Sequence, residues 1–394
     1  MSTKEVVIVS AARTPIGSFL GALSAIPAPR LGAVAIKAAL ERGKVDPKWV
    51  DQVIMGNVLS AGEGQAPARQ AMIYAGIPQS CPATTINKVC GSGMQAVNLA
   101  RNAILAGESE CVVAGGMENM SLAPYLMEDA RTGYRMGEKK IKDSMVSDGL
   151  WDPYNNFHMG NAAELCVKEY KFTREEQDRF AKQSFERAQA AQKSGAFKAE
   201  IAPVAIPQKK GDPIQFDTDE GPSKVDFSKM AGLRPAFDKD GTITAANAST
   251  INDGASAVVV CSREFADKHG LKPMAKILSC GIHAQAPEWF TTAPVEAMKK
   301  ALKKANLNPN DIDLWEVNEA FAVVALAAAK GVEIPESKLN IHGGGISLGH
   351  PIGSSGSRIL TSLLYAMQAK GAKRGLGSLC IGGGEGIAMV VEKV

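Results

Sequence analysis

The chain alternates short apolar runs with amphipathic helical stripes. Val6-Val-Ile-Val-Ser10, Cys111-Val-Val-Ala-Gly-Gly116, Asp253-Gly-Ala-Ser-Ala-Val-Val-Val260, Ser378-Leu-Cys-Ile-Gly-Gly383 and Gly386-Ile-Ala-Met-Val-Val-Glu392 have the length and β-branched content of strands. After Gly91-Ser-Gly93, apolar residues recur at Met94, Val97, Ile104 and Leu105. After Ser354-Ser-Gly356 they recur at Ile359, Leu360, Leu363, Leu364 and Met367. Spacings of one, three and four predict a helix in each case, and each stripe stops at a glycine, Gly107 or Gly371, suited to a C-terminal cap. Thr173-Arg-Glu-Glu176 has the form of a capping box ahead of Phe180, Phe185 and Ala188. Residues 207–230 have few apolar positions and read as loop. Strands alternating with helices point to an α/β protein whose parallel strands are covered by helices.

The pattern occurs twice. Residues 36–47 (IKAALERGKVDP) align without a gap on 298–309 (MKKALKKANLNP), Val50-Asp51 falls on Ile312-Asp313, and Met55-Gly-Asn57 on Val317-Asn-Glu319. One residue later in register, Gly91-Ser-Gly93 falls near Ser354-Ser-Gly356. The run ending at Gly116 matches the run ending at Gly383. The second copy continues directly into Gly386–Glu392, whereas the corresponding segment of the first copy is Asp253–Val260. The expected organisation is two similar α/β halves, residues 1–119 plus 249–270 and residues 271–394, with an inserted loop domain at 120–248 on the first.

Composition narrows the classes. The 394 residues are 45% hydrophobic and 22% charged, enough apolar material for sizeable cores. The longest apolar stretch, Ala320–Ala329, is well short of the ~20 residues of a membrane span. A net charge of +3, from 44 basic and 41 acidic residues, offers no nucleic-acid surface. The N-terminus lacks the pattern of a signal or transit peptide, so the expected location is cytoplasmic. Seven scattered cysteines without Cys-x-x-Cys, and no His-Glu-x-x-His, give no disulfide framework and no metal site.

The 39 glycines concentrate at 91–93, 343–356 and 382–386, each beside a cysteine or histidine. Cys90 precedes a glycine-rich helix start, where the helix dipole favours thiolate and open backbone N–H groups can bind an oxyanion. His350 sits in Gly349-His-Pro-Ile-Gly353, and Cys380 leads into Ile381-Gly-Gly-Gly384. Cys81, Cys111, Cys166, Cys261 and Cys280 read as packing residues. Gly91-Ser-Gly-Met-Gln-Ala96 also fits a dinucleotide-binding fingerprint, but it does not follow the first strand, and a cysteine directly precedes it.

Together these blocks resemble the thiolase family, of the short-chain biosynthetic type. Asn87-Lys-Val-Cys-Gly-Ser-Gly-Met94, Asn318-Glu-Ala-Phe-Ala322, Gly349–Gly353 and Cys380–Gly384 are similar to its four catalytic blocks, in family order. Ser10-Ala-Ala-Arg-Thr-Pro-Ile-Gly17 and Gly64-Gln-Ala-Pro-Ala-Arg-Gln70 also match, so the resemblance spans essentially the whole chain. It implies a thiolase-like fold of layered sheets and helices, acetyl-CoA as substrate, and acetoacetyl-CoA and CoA as products. No cofactor beyond CoA and no metal is implied, and the assembly implied is a homotetramer tethered through part of 121–150. Cys90 would be the acylated nucleophile, His350 its base and Cys380 the base that removes a methyl proton. Asn318 would hold a water at the thioester oxygen, and the Gly382 N–H would bind an oxyanion. His158, Met159, Ser249, Ala320, Phe321, Phe237, Leu150 and Phe290 would line the acyl and pantetheine path.

Three departures stand out. Asp219-Glu-Gly-Pro-Ser223 lacks the arginine many relatives carry, leaving Lys224 or Lys229 for the nucleotide end. Phe290, in Pro287-Glu-Trp-Phe-Thr291, narrows the acyl pocket, and Glu385 stands where relatives are commonly uncharged. The alternatives are a degradative 3-ketoacyl-CoA thiolase of broader chain length and a non-catalytic acyl-binding protein of the same fold. The malonyl-using condensing synthases lack a second cysteine base.

Overall fold

The structure, a computed structural model, describes residues 4–394. In the first half, strands β1 (Val6–Arg13), β2 (Gln52–Gly56), β3 (Ala83–Ile86) and β4 (Cys111–Asn119) alternate with helices α1 (Ala28–Gly43), α2 (Pro67–Tyr74) and α3 (Ser92–Ala106). Helices α4 (Met159–Tyr170) and α5 (Arg174–Ser194) follow, and then strand β5 (Asn252–Ser262). The second half runs β6 (Ala275–Ala284), α6 (Ala293–Ala305), β7 (Leu314–Val317), α7 (Ala322–Val332), α8 (Ser355–Lys370), β8 (Arg374–Ile381) and β9 (Glu385–Lys393).

The strands form one mixed sheet in the order β7-β8-β9-β6-β1-β5-β4-β2-β3, with Gly17–Ser18 added beside β5. The halves meet at β1 and β6 through only two register pairs, Val7 with Lys276 and Ile8 with Ala275. Either side of that seam the pairing repeats: β2 is parallel to β4 as β7 is to β8, and β4–β5 and β8–β9 are antiparallel. The place of β3 is taken in the second half by a single parallel bridge, Trp315 to Leu339.

Burial explains the layers. α3 and α8 pack between the halves, where Met94, Val97, Ile104, Ile359, Leu360 and Leu363 share a core with Ile8, Val260, Leu379 and Met389. α1 and α2 cover the opposite face of the first half, with Leu31, Ile36 and Met72 against Val7, Met55 and Val113. α6 and α7 cover the second, with Met298, Ala301 and Ala325 against Trp315, Leu376 and Val390. The order is therefore helix, sheet, helix, sheet, helix, a thiolase-like layered α/β arrangement. The central helices approach closely because they cross at glycines: a Cβ on Gly93 would lie 2.6 Å from the Ser357 nitrogen, and one on Gly356 would lie 2.9 Å from the Met94 Cβ.

Several local readings hold. Gly107 and Gly371 cap α3 and α8 in the left-handed conformation, and Thr173 and Glu176 form a reciprocal capping box on α5. Two need correction. Within 207–230 the chain is not all loop: Ile214–Phe216 pairs with Val204–Ile206, and short helical turns span Gly221–Lys224 and Phe227–Met230. The glycine pairs 115–116 and 382–383 are not equivalent positions either. Met55 lies opposite Gly115 and Val317 opposite Ser378, so Gly115 matches Ser378, and Asn119 matches Gly382. Similar composition had drawn the two runs four residues out of step.

That register locates the extra segment. After β8, Gly382–Gly384 turns the chain directly into β9, with φ of +87° and +86° at Gly383 and Gly384, where a side chain would be strained. At the matching point after β4 the chain leaves at Asn119 and returns at Asn252, the neighbour of the residue paired with it, Asp253. The intervening segment is fastened underneath by a buried ionic cluster. Arg13 donates to Glu200 (Nε to Oε1, 2.6 Å) and in a fork to Asp219 (2.7 and 2.9 Å). Arg42 donates to the carbonyls of Glu200 and Ile201.

Candidate active site

A cavity of about 280 Å³ opens between the glycine-rich loops and the inserted segment. Cys90, Leu150, His158, Met159, Phe237, Ser249, Phe290, Ala320, Phe321, His350 and Gly382 line it. Eleven of the thirteen candidate residues thus share one wall. The other two, Cys380 and Asn318, are buried behind it. Met120, Gly149, Ala248, Thr250, Ile251 and Ile352 complete the lining. Sequence reading passed over these small and aliphatic residues because nothing separates them from core residues until the fold brings them together.

Cys90 sits in the turn before α3. Its sulfur receives the backbone N–H of Gly382 and its own N–H, and what exposure it keeps is to the cavity. The helix start was expected to favour thiolate. Burial outweighs it: desolvation pushes the Cys90 thiol up to about 11. At rest this nucleophile is a thiol. Cys380, buried completely at the end of β8, is pushed well above the usual thiol range, first by desolvation and then by the neighbouring Cys90.

His350 lies before α8 as Cys90 lies before α3. Its backbone N–H donates to Asn252 Oδ1 (2.9 Å), and its Nδ1 is 2.6 Å from Ser355 Oγ. The Ser355 hydroxyl donates to the Pro351 carbonyl (2.9 Å). A serine has one hydroxyl proton. Nδ1–H must therefore be the donor to Ser355, which leaves the Nε2 lone pair free. Burial pulls the imidazole down to about 3, so it is neutral. Ser355 went unread in sequence, although only four residues separate it from His350. Asn318 places Nδ2 3.4 Å from His350 Nε2, while its Oδ1 is buried with no partner, a position suited to a bound water.

Glu118, at the end of β4, ties these parts together from below. It accepts from the N–H groups of Val58, Leu59 and Gly353 and from Asn57 Nδ2. Burial raises its carboxyl to about 7, and the four donors oppose that rise. No feature of the sequence marks this glutamate, because its partners come from two loops far apart in the chain, Asn57–Leu59 and Gly353.

The substrate side is largely apolar. His158 caps α4, accepting the Gly160 N–H at Nδ1 (3.1 Å), and its ring stacks on Phe237 at 4.8 Å. With Nδ1 an acceptor, its Nε2–H is available as a donor. Ser249 is held by its N–H to the Ala320 carbonyl (2.9 Å). Phe290 stands edge-on to Phe321 and lines the cavity beside it. A second depression, lined by Lys224, Lys229, Met230 and Leu233, touches the first at Thr250. The fingerprint at 91–96 offers no pyrophosphate site: Gly91 packs on Ile381 and Gly93 on Ser357. Among the described residues no group of His, Cys, Asp and Glu is placed to hold a metal, and no helix is long and apolar enough to cross a membrane.

Comparison with known proteins agrees with this geometry. Residues 6–264 match the family model for the thiolase N-terminal domain and 271–393 that for the C-terminal domain. The chain is 57% identical over 390 residues to an acetyl-CoA acetyltransferase of Cupriavidus necator, covering 99% of both chains. It is 55% identical to the acetyl-CoA acetyltransferase of Chromobacterium violaceum, over 99% of this chain and 100% of that one. It is 51% identical to acetyl-CoA acetyltransferase 1 of Arabidopsis thaliana, over 100% of this chain and 95% of that one.

Proposed function

Since the chain belongs to the thiolase family, we propose that it is an acetyl-CoA C-acetyltransferase, condensing two acetyl-CoA to acetoacetyl-CoA and CoA through an acetylated Cys90. The observation that carries this reading is the convergence of Cys90, His350 and Gly382 on one apolar cavity with Cys380 directly behind it. The names of the relatives agree with it.

The resting charges constrain the mechanism. With burial raising the Cys90 thiol to about 11 and lowering His350 to about 3, both are neutral before a thioester enters. Proton transfer from Cys90 to Nε2 accompanies attack on the thioester, while the Gly382 and Cys90 N–H groups receive the developing oxyanion. The C–S bond to CoA breaks, and Cys380 gives its proton to the departing sulfur. That leaves Cys380 as thiolate beside a protonated His350. A buried thiolate with a raised pKa is a stronger base, suited to taking a proton from the methyl group of the second acetyl-CoA. His350–H⁺ and the water at Asn318 stabilise the enolate. Its carbon attacks the acetyl group, and Cys90 leaves, recovering its proton from His350.

The test is intact-mass measurement after mixing with acetyl-CoA. One acetyl group is expected on Cys90, and Cys90→Ala is expected to carry none; labelling elsewhere, or no labelling, refutes the reading. The bulky Phe290 and Phe321 side by side in the cavity lining support short chains over the degradative 3-ketoacyl-CoA alternative. Thiolysis of acetoacetyl-CoA should therefore exceed that of 3-ketohexanoyl-CoA in kcat/KM by about tenfold or more, and the reverse order would favour the alternative. Lys224 and Lys229, on the second depression, are the candidates for the nucleotide phosphates of CoA. No cofactor beyond CoA enters this scheme, and the proposed location is cytoplasmic. A homotetramer is proposed on the short arm in which Tyr125–Leu126 pairs with Lys142–Asp143 while Tyr125, Met127, Met136 and Ile141 face outward. A monomer in light scattering would remove that part.

A further inference from the structure

Lys88 and Glu385 lie 297 positions apart, yet Lys88 Nζ donates to the Glu385 carboxylate. Lys88 belongs to the turn that presents Cys90. Glu385 opens β9 immediately after the glycines that present Gly382. We propose that this ion pair is a clasp between the two loops, making Lys88 and Glu385 positioning residues that hold the Cys90 sulfur against the Gly382 N–H.

The turn needs holding. Val89, β-branched and directly before the nucleophile, has φ of +45°, a strained conformation that persists only where its surroundings over-determine it. Its internal bonds fix the shape of the turn: Val89 N–H to Asn87 Oδ1 (2.9 Å), Lys88 N–H to Ser92 Oγ (2.8 Å) and Ser92 Oγ–H to the Val89 carbonyl (2.7 Å). None of these fixes where the turn stands relative to the glycine loop. That loop has Gly383 and Gly384 both at positive φ and is anchored on its far side by the Gln285 N–H to the Gly384 carbonyl. Among the described residues, Lys88–Glu385 is the one hydrogen bond with a side chain at both ends between segments 87–92 and 381–385.

The pair is part-exposed, with side-chain exposures of 23% and 33%, so its loss should cost little global stability. Its effect belongs in the chemistry. The inference rests on the role proposed for Cys90, and the test separates the two. Carbamidomethylation of Cys90 by iodoacetamide, followed by mass spectrometry, reads the clasp even if no acetoacetyl-CoA forms.

Four proteins are compared with the native chain: Lys88→Met, Glu385→Ala, the double variant, and the exchanged pair Lys88→Glu/Glu385→Lys. Each single change should slow alkylation of Cys90 about fivefold, by withdrawing the Gly382 N–H, and lower kcat about tenfold with KM for acetyl-CoA moved by less than about twofold. The double variant should be no worse than either single, and the exchanged pair should recover to within about threefold of the native chain. Unchanged alkylation in the singles, additive losses in the double, or losses that track a fall in melting temperature would overturn the clasp.

Discussion

Cys380→Ala should still become acetylated on Cys90, yet condense acetyl-CoA about 10²–10⁴ times more slowly than the native chain, the range over which one positioned acid or base acts. The split follows from where the two sulfurs sit. Cys90 faces the cavity and can meet a thioester without help from Cys380. Cys380 lies fully buried behind it, reachable only by a group already seated in the cavity. Acetylation should reach one group per chain at a reduced rate, because the departing CoA sulfur loses its proton donor. Exchange of the methyl protons of bound acetyl-CoA for deuterium should slow by the same factor. Proton exchange at the native rate in this variant would move the base elsewhere, and failure to acetylate would mean that Cys380, not His350, is indispensable to the first step.

Arg13→Met should destabilise the chain by about 3–5 kcal/mol, the usual cost of removing one partner from a buried ionic cluster. Arg13 and its partners Glu200 and Asp219 are buried, and Asp219 also accepts the Ile16 N–H. Without the guanidinium, two carboxylates remain in low dielectric with only the Ile16 N–H, the Ser362 hydroxyl and the charge of Arg358 to oppose them. Burial already raises the Glu200 carboxyl, and Arg13 is what opposes that rise. A urea titration monitored by circular dichroism would measure the loss. Lys139→Met, which breaks an exposed pair with Asp129, should shift the same titration by no more than about 1 kcal/mol. Equal effects would show that the cluster adds nothing beyond a surface pair.

These two predictions draw on very different amounts of sequence information. The catalytic blocks were legible because nucleophile, base and oxyanion donors need particular residue types beside particular backbone, and that combination leaves a local mark. The repeat was legible because helices and strands of similar length recur in the same order. The Arg13 cluster was visible only as two unexplained blocks, Ser10–Gly17 and Asp219–Ser223. The first lies in β1 and the second some two hundred residues on, and only the fold shows that one grips the other. Glu385 is a similar case: its reason is Lys88, at the far end of the chain. The charge state of Cys90 was misjudged for a physical cause. A helix terminus can be read from a sequence, but the burial that opposes it is set only when the fold packs Cys90 against distant residues, Val58, Leu59 and Met120 on one side and Ile352 on the other. Glu118 and Ser355 left no mark because a hydrogen-bond acceptor among loops has no periodicity.

The three glycines after β8 and the long excursion after β4 occupy the same point in two copies of one design, and this gives the molecule a division of labour. Where the link stayed short, the backbone is drawn tight, and it supplies the oxyanion donor and the second cysteine. Where it grew, it left and re-entered between adjacent strands, so its length is invisible to the sheet beneath. Cavity-lining residues such as Leu150, His158, Phe237 and Ser249 sit on that excursion and can change without disturbing the sheet, while Cys90, His350 and Cys380 stay in the frame that the two halves share.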